Sequence, residues 1–476
     1  MRASLQLLAF LAPAYYDCAI TYRVICQSGP RASEPRRMQF VRDALLRLLR
    51  LDDATSAERR ATAWTAVSFF CVLFTFYLLR PLRENVGAAF GTSELLPLFT
   101  LTFVMVTLLN QPYLALVRRL PSHRFLPYAL HAFAISFVAL AALFAGGSSD
   151  LGDLTWGTAR GVSFAIFYSW VTAFSVCGVT LVWVHAVEWF STAQGKRLFG
   201  LVSVGGTLGA MAGSSVSFHF ATCSYSTFLF VAGIAVEIAV LAWWLSLRAC
   251  RRMEVIPRAH ALANGPTFFA GLSRVVRDPY LRAIALFVLI AAIVATTFYY
   301  QRIAVVREQL PDDGARRMLE ASMNWWQNAL CLGVQLFFTS RVLLGLGIGV
   351  VLCAMPFASL VGLSMLTAWP LVGIYAIVEV LRRMVQFAFD KPAREVLYTP
   401  LDPEAKYVSK AVVDTAVLRF GDLVGAAGND LLHRVAVSNG TLLLCMLPLL
   451  VVWAGLGRWL GARCRSREDA QRPSMS

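Results

Sequence analysis

The chain has 476 residues, of which 58% are hydrophobic and 15% are charged, and its formal net charge is +15. Soluble domains carry roughly 25% charged residues. A soluble fold of this size could not bury so much apolar surface, whereas a lipid bilayer can solvate it. The composition therefore excludes an ordinary soluble enzyme and predicts an all-α polytopic membrane protein. The basic residues lie in short loops rather than in a groove with interleaved aromatics, which argues against nucleic-acid binding.

Two segments precede the first long apolar run. Residues 1–37 contain a short apolar stretch that charged residues interrupt before it reaches the length of a membrane span. We interpret this stretch as a dispensable or misassigned extension, with an extra interfacial helix as the alternative. Residues 39–60 form a basic amphipathic pattern that suits the cytoplasmic surface of a membrane. Residues 1–60 are thus predicted to be a cytoplasmic extension.

About twelve apolar segments follow, each close to the ~20 residues that cross a hydrocarbon core. Spans one to six are predicted at roughly 61–80, 95–117, 125–145, 161–187, 198–220 and 226–247. Spans seven to twelve are predicted at roughly 281–301, 321–340, 342–364, 368–389, 411–433 and 440–460. The predicted units are a six-helix bundle over 61–247, a cytoplasmic linker over 248–280, a second six-helix bundle over 281–460 and a basic cytoplasmic tail over 461–476.

The distribution of basic residues predicts the orientation. Lysine and arginine are concentrated in the segments that are cytoplasmic if the N-terminus is inside, so both termini are predicted to face the cytoplasm of a bacterial inner membrane. Two bundles joined by a central loop are typical of transporters whose halves rock about a midplane site. The ten cysteines are scattered, with no CxxC or Cys/His cluster, so we expect no metal or cofactor. A monomer surrounded by lipid is the expected state.

Charged residues inside membrane spans are costly and indicate a partner, a water path or a function. The first group is Arg80, Arg83, Glu84 and Asn85, at the predicted end of span one. Pro81 is expected to end the helix there and to free backbone carbonyls. Because arginine presents a fork of donors suited to phosphate or carboxylate, one hypothesis is an anion-binding mouth. The alternative is that these side chains snorkel to the external headgroups.

The second group lies on span ten and just after it. Glu379 is deep enough in the span to need a partner, and Arg383 follows one helical turn later. Lys391 and Arg394 come next. A structural salt bridge and a gate switched by substrate are both compatible with this pattern.

The third group, on span eleven, consists of Asp414, Arg419 and Asp422. Acidic groups in a membrane helix require a polar lumen, so Asp414 and Asp422 are candidates for proton coupling and Arg419 for substrate binding. The alternative is an intrahelical pair between Arg419 and Asp422 that neutralises itself.

Span five carries Gly205, Gly209 and Gly213, four residues apart. No strand precedes them and no Gly-Lys-Ser/Thr follows, so the pattern does not fit a phosphate-binding loop. Small residues at this spacing are typical of closely packed helices in lipid.

The two halves show a weak repeat in their cytoplasmic loops. Glu188, Lys196 and Arg197 lie around the loop between spans four and five, and Lys406 lies between spans ten and eleven. Both loops lead into a helix that contains glycine, which fits pseudo-symmetric halves.

Four patches resemble the ATP/ADP translocase family, the nucleotide carriers of plastids and of obligate intracellular bacteria together with free-living bacterial relatives. They are Tyr77 to Glu84, Glu188 to Gly200, Lys391 to Pro400 and Lys406 to Thr415. The likeness covers roughly residues 60–460. It implies a twelve-helix fold similar to the major facilitator superfamily, with nucleotide exchange as the family activity.

Three positions depart from the pattern of the proven nucleotide carriers. Arg83 stands where they have lysine, Val171 where they have a functional glutamate, and Asp422 where a lysine is found. The last change inverts a charge that would meet a phosphate. The sequence therefore predicts secondary transport of a small anionic organic solute, with an ATP/ADP antiporter as the alternative. A receptor or scaffold that does not transport is the hypothesis from another class.

Overall fold

The computed structural model describes residues 54–119, 122–146, 151–190, 192–253, 268–401, 409–410, 412–435 and 439–471. Within these ranges the chain is helical and contains no β-strand. Nine helices there are long and apolar enough to cross a membrane. The helical membrane fold is thus confirmed, and the count of twelve stays a prediction. Most of the N-terminal extension, the middle of the linker at 254–267 and the end of the tail lie outside the described residues.

The first half, residues 54–253, contains one long helix for each of predicted spans one to six. Span one begins with a capping box, in which the Thr55 side chain accepts from the Glu58 backbone N–H and the Glu58 carboxylate accepts from the Thr55 N–H. The six helices are Ser56–Phe90, Leu95–Arg119, Ser122–Leu143, Ala159–Trp189, Thr192–His219 and Tyr225–Cys250.

The second half, residues 268–471, is less regular. A short helix, Phe268–Arg277, precedes span seven, which starts at Pro279 behind the Asp278 cap. Spans seven and eight are Pro279–Gln309 and Asp313–Phe337, and span nine is divided into Thr339–Leu346, Ile348–Leu352 and Ala354–Ala368. Span ten comprises Val372–Val385, a π-helical segment Gln386–Asp390 and Lys391–Leu397. Span eleven comprises a π-helical segment Val413–Val417 and Leu418–Arg434, and span twelve is Asn439–Gln471.

The expected helix break at Pro81 is wrong. The helix that begins at Ser56 passes through this proline and ends at Phe90, before Gly91 with its φ of +74°. Proline in a helix interior removes one backbone hydrogen bond. Leu79 and Leu82, on either side of it, are fully buried. Burial of the flanking turns therefore outweighs the lost bond, and the charged residues after Pro81 lie inside the protein rather than at the headgroups.

The glycines of span five pack directly against span one, as their spacing predicted. A methyl group at Gly205 would lie 2.7 Å from the carbonyl oxygen of Ala66. At Gly209 it would meet the Phe70 carbonyl, and Gly213 is equally closed in by the next turn of span one. Only glycine allows the two backbones to approach this closely.

Each half has its own buried apolar cluster. The cluster of the first half also takes in Tyr300, Ile303 and Ala426, which belong to the second half. The cluster of the second half consists of residues from the sequence range Val275 to Cys464. The halves thus share apolar contacts along spans seven and eleven, and a polar cavity lies beside this contact.

Candidate functional site

A cavity of about 310 Å³ lies between the two halves. Spans one, two and four of the first half contribute to its wall, together with spans seven, nine, ten and eleven of the second. The charged groups on the wall are Arg83, Arg382, Arg383, Arg394, Arg419, Glu379, Asp390 and Asp422. Five arginines and three carboxylates leave the wall with two more positive than negative charges. The cavity is therefore suited to an anion.

Arg83 is the arginine that span one contributes to the wall. Its Nη1 donates to the Thr172 hydroxyl at 3.1 Å, and its guanidinium carbon lies 5.0 Å from the centre of the Tyr168 ring. Its other amino group contacts the Glu84 carboxylate. Two side chains of span four, Tyr168 and Thr172, therefore hold the guanidinium at the cavity surface. The counter-charge, on Glu84, lies behind it.

Glu84 is the centre of a buried ionic cluster behind the wall. Its side chain is 1% exposed, and its carboxylate contacts Arg83, accepts from Arg302 Nη1 at 2.6 Å and lies 3.8 Å from Arg80 Nε. Arg302 Nε lies in turn 2.8 Å from Glu320. Arg302 belongs to span seven, so this cluster joins the two halves. We call the five residues the Glu84 cluster.

Span ten supplies a second ionic cluster, which faces the cavity. Glu379 contacts Arg383, and the Arg382 Nη2 atom lies 2.9 Å from its carboxylate. About two turns further on, Arg394 Nε lies 2.9 Å from Asp390. The predicted contact between Glu379 and Arg383 is present, with Arg382 as a second partner of the same carboxylate.

Span eleven adds one ion pair to the wall. Arg419 Nη1 donates to Asp422 at 2.8 Å, which is the intrahelical pair considered from the sequence. Both side chains line the cavity and each is about a fifth exposed, at 21% and 19%. The pair can therefore neutralise itself and still meet a solute.

One end of the cavity is closed by contacts between the halves. This closed end is the one where residues 91–94 connect spans one and two and residues 310–312 connect spans seven and eight. There Arg307 donates to Asp153 at 2.5 Å, and the Leu151 N–H donates to Asp313 at 2.5 Å. On the cavity wall itself, the Tyr168 hydroxyl donates to that of Tyr299 at 3.1 Å, again across the halves.

Several predicted site residues lie away from the wall. Arg80 and Glu84 belong to the buried cluster, and the Asn85 amide donates to the Tyr225 hydroxyl at 3.1 Å. Lys391 and Asp414 are exposed and are not among the wall residues. The structure thus brings together Arg83, Glu379, Arg383, Arg394, Arg419 and Asp422.

The residues of the predicted loop repeat are described only in part. Glu188 is buried at the end of span four. The side chains of Lys196 and Arg197, and all of Lys406, lie outside the described residues. In the described part of the chain, no three His, Cys, Asp or Glu side chains are grouped as metal ligands would be.

Sequence reasoning missed Arg302 and Glu320. Arg302 follows the predicted end of span seven by one residue, and Glu320 precedes the predicted start of span eight by one residue. Both therefore looked like loop residues, whereas their helices extend to Gln309 and begin at Asp313. Counting a helical turn beyond each apolar run would have found them.

The helical fold is similar to that of solved membrane transporters. A structure of an auto-inhibited peptide transporter of the POT family superposes with a TM-score of 0.54 at 14% identity, covering 88% of this chain and 98% of that one. The nucleoside transporter NupG superposes with a TM-score of 0.50 at 12% identity, covering 87% and 99%. At such low identities these likenesses show the fold alone.

The likeness to the ATP/ADP translocase family is confirmed. Residues 315–462 match the model of the TLC ATP/ADP transporter family. ADP,ATP carrier protein 1 of Chlamydia muridarum is 23% identical over 455 residues, which are 81% of this chain and 83% of the carrier. The carrier of Chlamydia trachomatis is 24% identical over 62% of this chain, and that match spans 64% of the carrier's length. The chain is thus a multi-pass membrane protein similar to ADP,ATP carriers.

Proposed function

We propose that this protein exchanges nucleotides across a bacterial inner membrane by alternating access. The observation that carries the proposal is the set of five arginines on the wall of one cavity that both halves share. Arginine binds phosphate through two parallel donors and stays charged at any physiological pH. The relatives named as ADP,ATP carriers favour nucleotides over other anions as the substrate.

In this mechanism the substrate replaces carboxylates as the partner of the arginines. Arg83 approaches the anion from the first half, and Arg383 and Arg419 approach it from the second. Glu379 and Asp422 hold the latter two in the absence of substrate and release them when phosphate binds. A ligand that draws both halves toward itself favours the occluded state over either open one.

The conformation, in which one end of the cavity is closed, fits one stage of an alternating-access cycle. The closed end is joined by the contact of Arg307 with Asp153 and by the Glu84 cluster. We assign the closed end to the outside and both termini to the cytoplasm, following the distribution of basic residues. Rocking of the halves would break these contacts and expose the cavity to the other side. Lys391, Arg394 and Asp414 are assigned to the coupling of this movement.

Purified protein in proteoliposomes tests the proposal. Labelled ADP is expected to enter vesicles loaded with ATP and to enter empty vesicles much more slowly. Arg83→Ala should abolish most of the exchange, and Arg83→Lys should retain part of it because the charge remains. Arg434→Ala is the matched control, since the Arg434 side chain is 74% exposed and is not among the wall residues. Wild-type exchange by Arg83→Ala, or equal uptake into empty vesicles, would contradict the mechanism.

A second candidate is exchange of an organic anion other than a nucleotide. Asp422 on the wall favours it, because this carboxylate reduces the positive charge that a polyphosphate would meet. Unlabelled sugar phosphates should then compete with labelled ADP more strongly than unlabelled ATP does. If ATP competes best and the sugar phosphates leave uptake unchanged, this candidate is excluded.

A further inference from the structure

The Glu84 cluster contains one more positive than negative charge. Arg80 and Arg83 share Glu84 with Arg302, and Arg302 also contacts Glu320. Three guanidinium groups thus surround two carboxylates. Arg83 is the member that reaches the cavity wall, so the surplus charge is available to a ligand there.

The ionic cluster of span ten has the same surplus. Arg382 and Arg383 share the single carboxylate of Glu379, and all three residues line the cavity. The other wall charges are matched one to one, as Arg394 with Asp390 and Arg419 with Asp422. The cavity therefore has two surplus positive charges, one on each of two clusters.

A buried charge without a counter-charge is strongly unfavourable, and the ligand is the group that can supply the counter-charges here. We propose that the transported species carries two negative charges at the site, one directed to the Glu84 cluster and one to the cluster of span ten. This inference rests on the proposed function and narrows it. It selects a nucleoside monophosphate, or a nucleoside triphosphate with bound magnesium, over free nucleoside diphosphate and free triphosphate.

Asp422 acts as the charge selector in this arrangement. Its carboxylate is what neutralises Arg419, and no other carboxylate is recorded in contact with that arginine among the described residues. Removing it would create a third surplus charge on the wall. The preferred ligand should then gain one negative charge.

The experiment compares labelled nucleotides that differ in charge. Uptake of cyclic AMP, AMP, ADP and ATP, with one to four negative charges, is measured in proteoliposomes with a chelator, and ATP is repeated with excess magnesium. AMP is expected to be the best substrate of wild-type protein, and magnesium should raise the uptake of ATP. Asp422→Asn should raise the ratio of ADP to AMP uptake by about tenfold, the effect of one unit charge at ~10 Å in a medium of effective dielectric constant about 20.

Asp430→Asn is the matched control. Asp430 lies on the same span and pairs with Arg434 at 2.8 Å, but it is not among the wall residues of this cavity. Its loss should leave the charge preference unchanged. Arg383→Gln is a second variant that removes one surplus charge, and it should shift the preference from AMP to cyclic AMP. Equal relative rates in wild type and both wall variants, or a wild-type preference for ADP over AMP, would overturn the inference.

Failure of the proposed function is distinguished by a non-nucleotide series. If no nucleotide enters, the melting temperature of the purified protein is compared in gluconate, hexose phosphate and citrate, with one, two and three charges. A ligand that binds the native state raises this temperature. If the melting temperature rises most in hexose phosphate, the inference that the ligand carries two negative charges holds even though the ligand is not a nucleotide. The same small rise in all three would refute it.

Discussion

Replacement of Arg302 should destabilise the conformation in which one end of the cavity is closed. Its side chain is 2% exposed and joins Glu84 of span one to Glu320 of span eight. In Arg302→Gln, Glu84 keeps Arg80 and Arg83 as partners, whereas Glu320 loses the only ion-pair partner recorded for it among the described residues. The main consequence is therefore an unpaired carboxylate in a closed site.

The size of the effect follows from this difference. Removing one partner of a buried ion pair costs about 3–5 kcal/mol, because the remaining charge is left without compensation. Replacing both partners of a buried pair by well-packed hydrophobic residues of similar volume is often neutral or even stabilising, because no desolvated charge remains. Arg302→Gln combined with Glu320→Gln should therefore recover most of the stability that Arg302→Gln alone loses.

Thermal unfolding of purified protein in one detergent is the assay. We expect the melting temperature to fall clearly in Arg302→Gln and to return most of the way toward wild type in the double variant. The order of the three proteins is the readout, since a chain of this size does not unfold in a single two-state step. A double variant less stable than Arg302→Gln would refute the assignment of the damage to Glu320.

Three further predictions use the same assay. Gly209→Ala should lower the melting temperature, because the added methyl would meet the backbone of span one, and Gly428→Ala, which has open space, should not. Tyr299→Phe removes the hydroxyl that bonds across the halves at 3.1 Å and should cost about 1 kcal/mol; a drop as large as that of Gly209→Ala would show another role. Asp153→Asn should cost less than about 1 kcal/mol, because its contact with Arg307 is exposed to solvent.

Most of the fold could be predicted from apolar run length alone. Nine predicted spans coincide with helices of the length and hydropathy that a bilayer requires. Spans eight, ten and eleven fall outside that set. Span eight carries Glu320 of the Glu84 cluster, span ten carries the cluster around Glu379, and span eleven carries the ion pair of Asp422. The charged residues that form the ion pairs of these helices also lower their mean hydropathy.

The candidate site could be predicted only as separate residues. Arg83, Glu379 and Asp422 were selected because a charge in a membrane span needs a reason, and the structure places all three on one wall. Their pairing was predictable only within a helix, where the spacing of three or four residues fixes it. The contact of Glu84 with Arg302 joins residues 218 positions apart, and no local pattern contains such information.

The backbone contact between spans one and five determines which parts of the protein can move. Because Gly205 and Gly209 leave no side chain between the two helices, the backbones of spans one and five are in direct contact and pack as one unit. Span one is therefore packed tightly against its own half. In the proposed exchange mechanism, Arg83 would move together with the whole first half. It would keep its contacts with Thr172 and Glu84 of that half, while the contact of Glu84 with Arg302 of the second half would be broken.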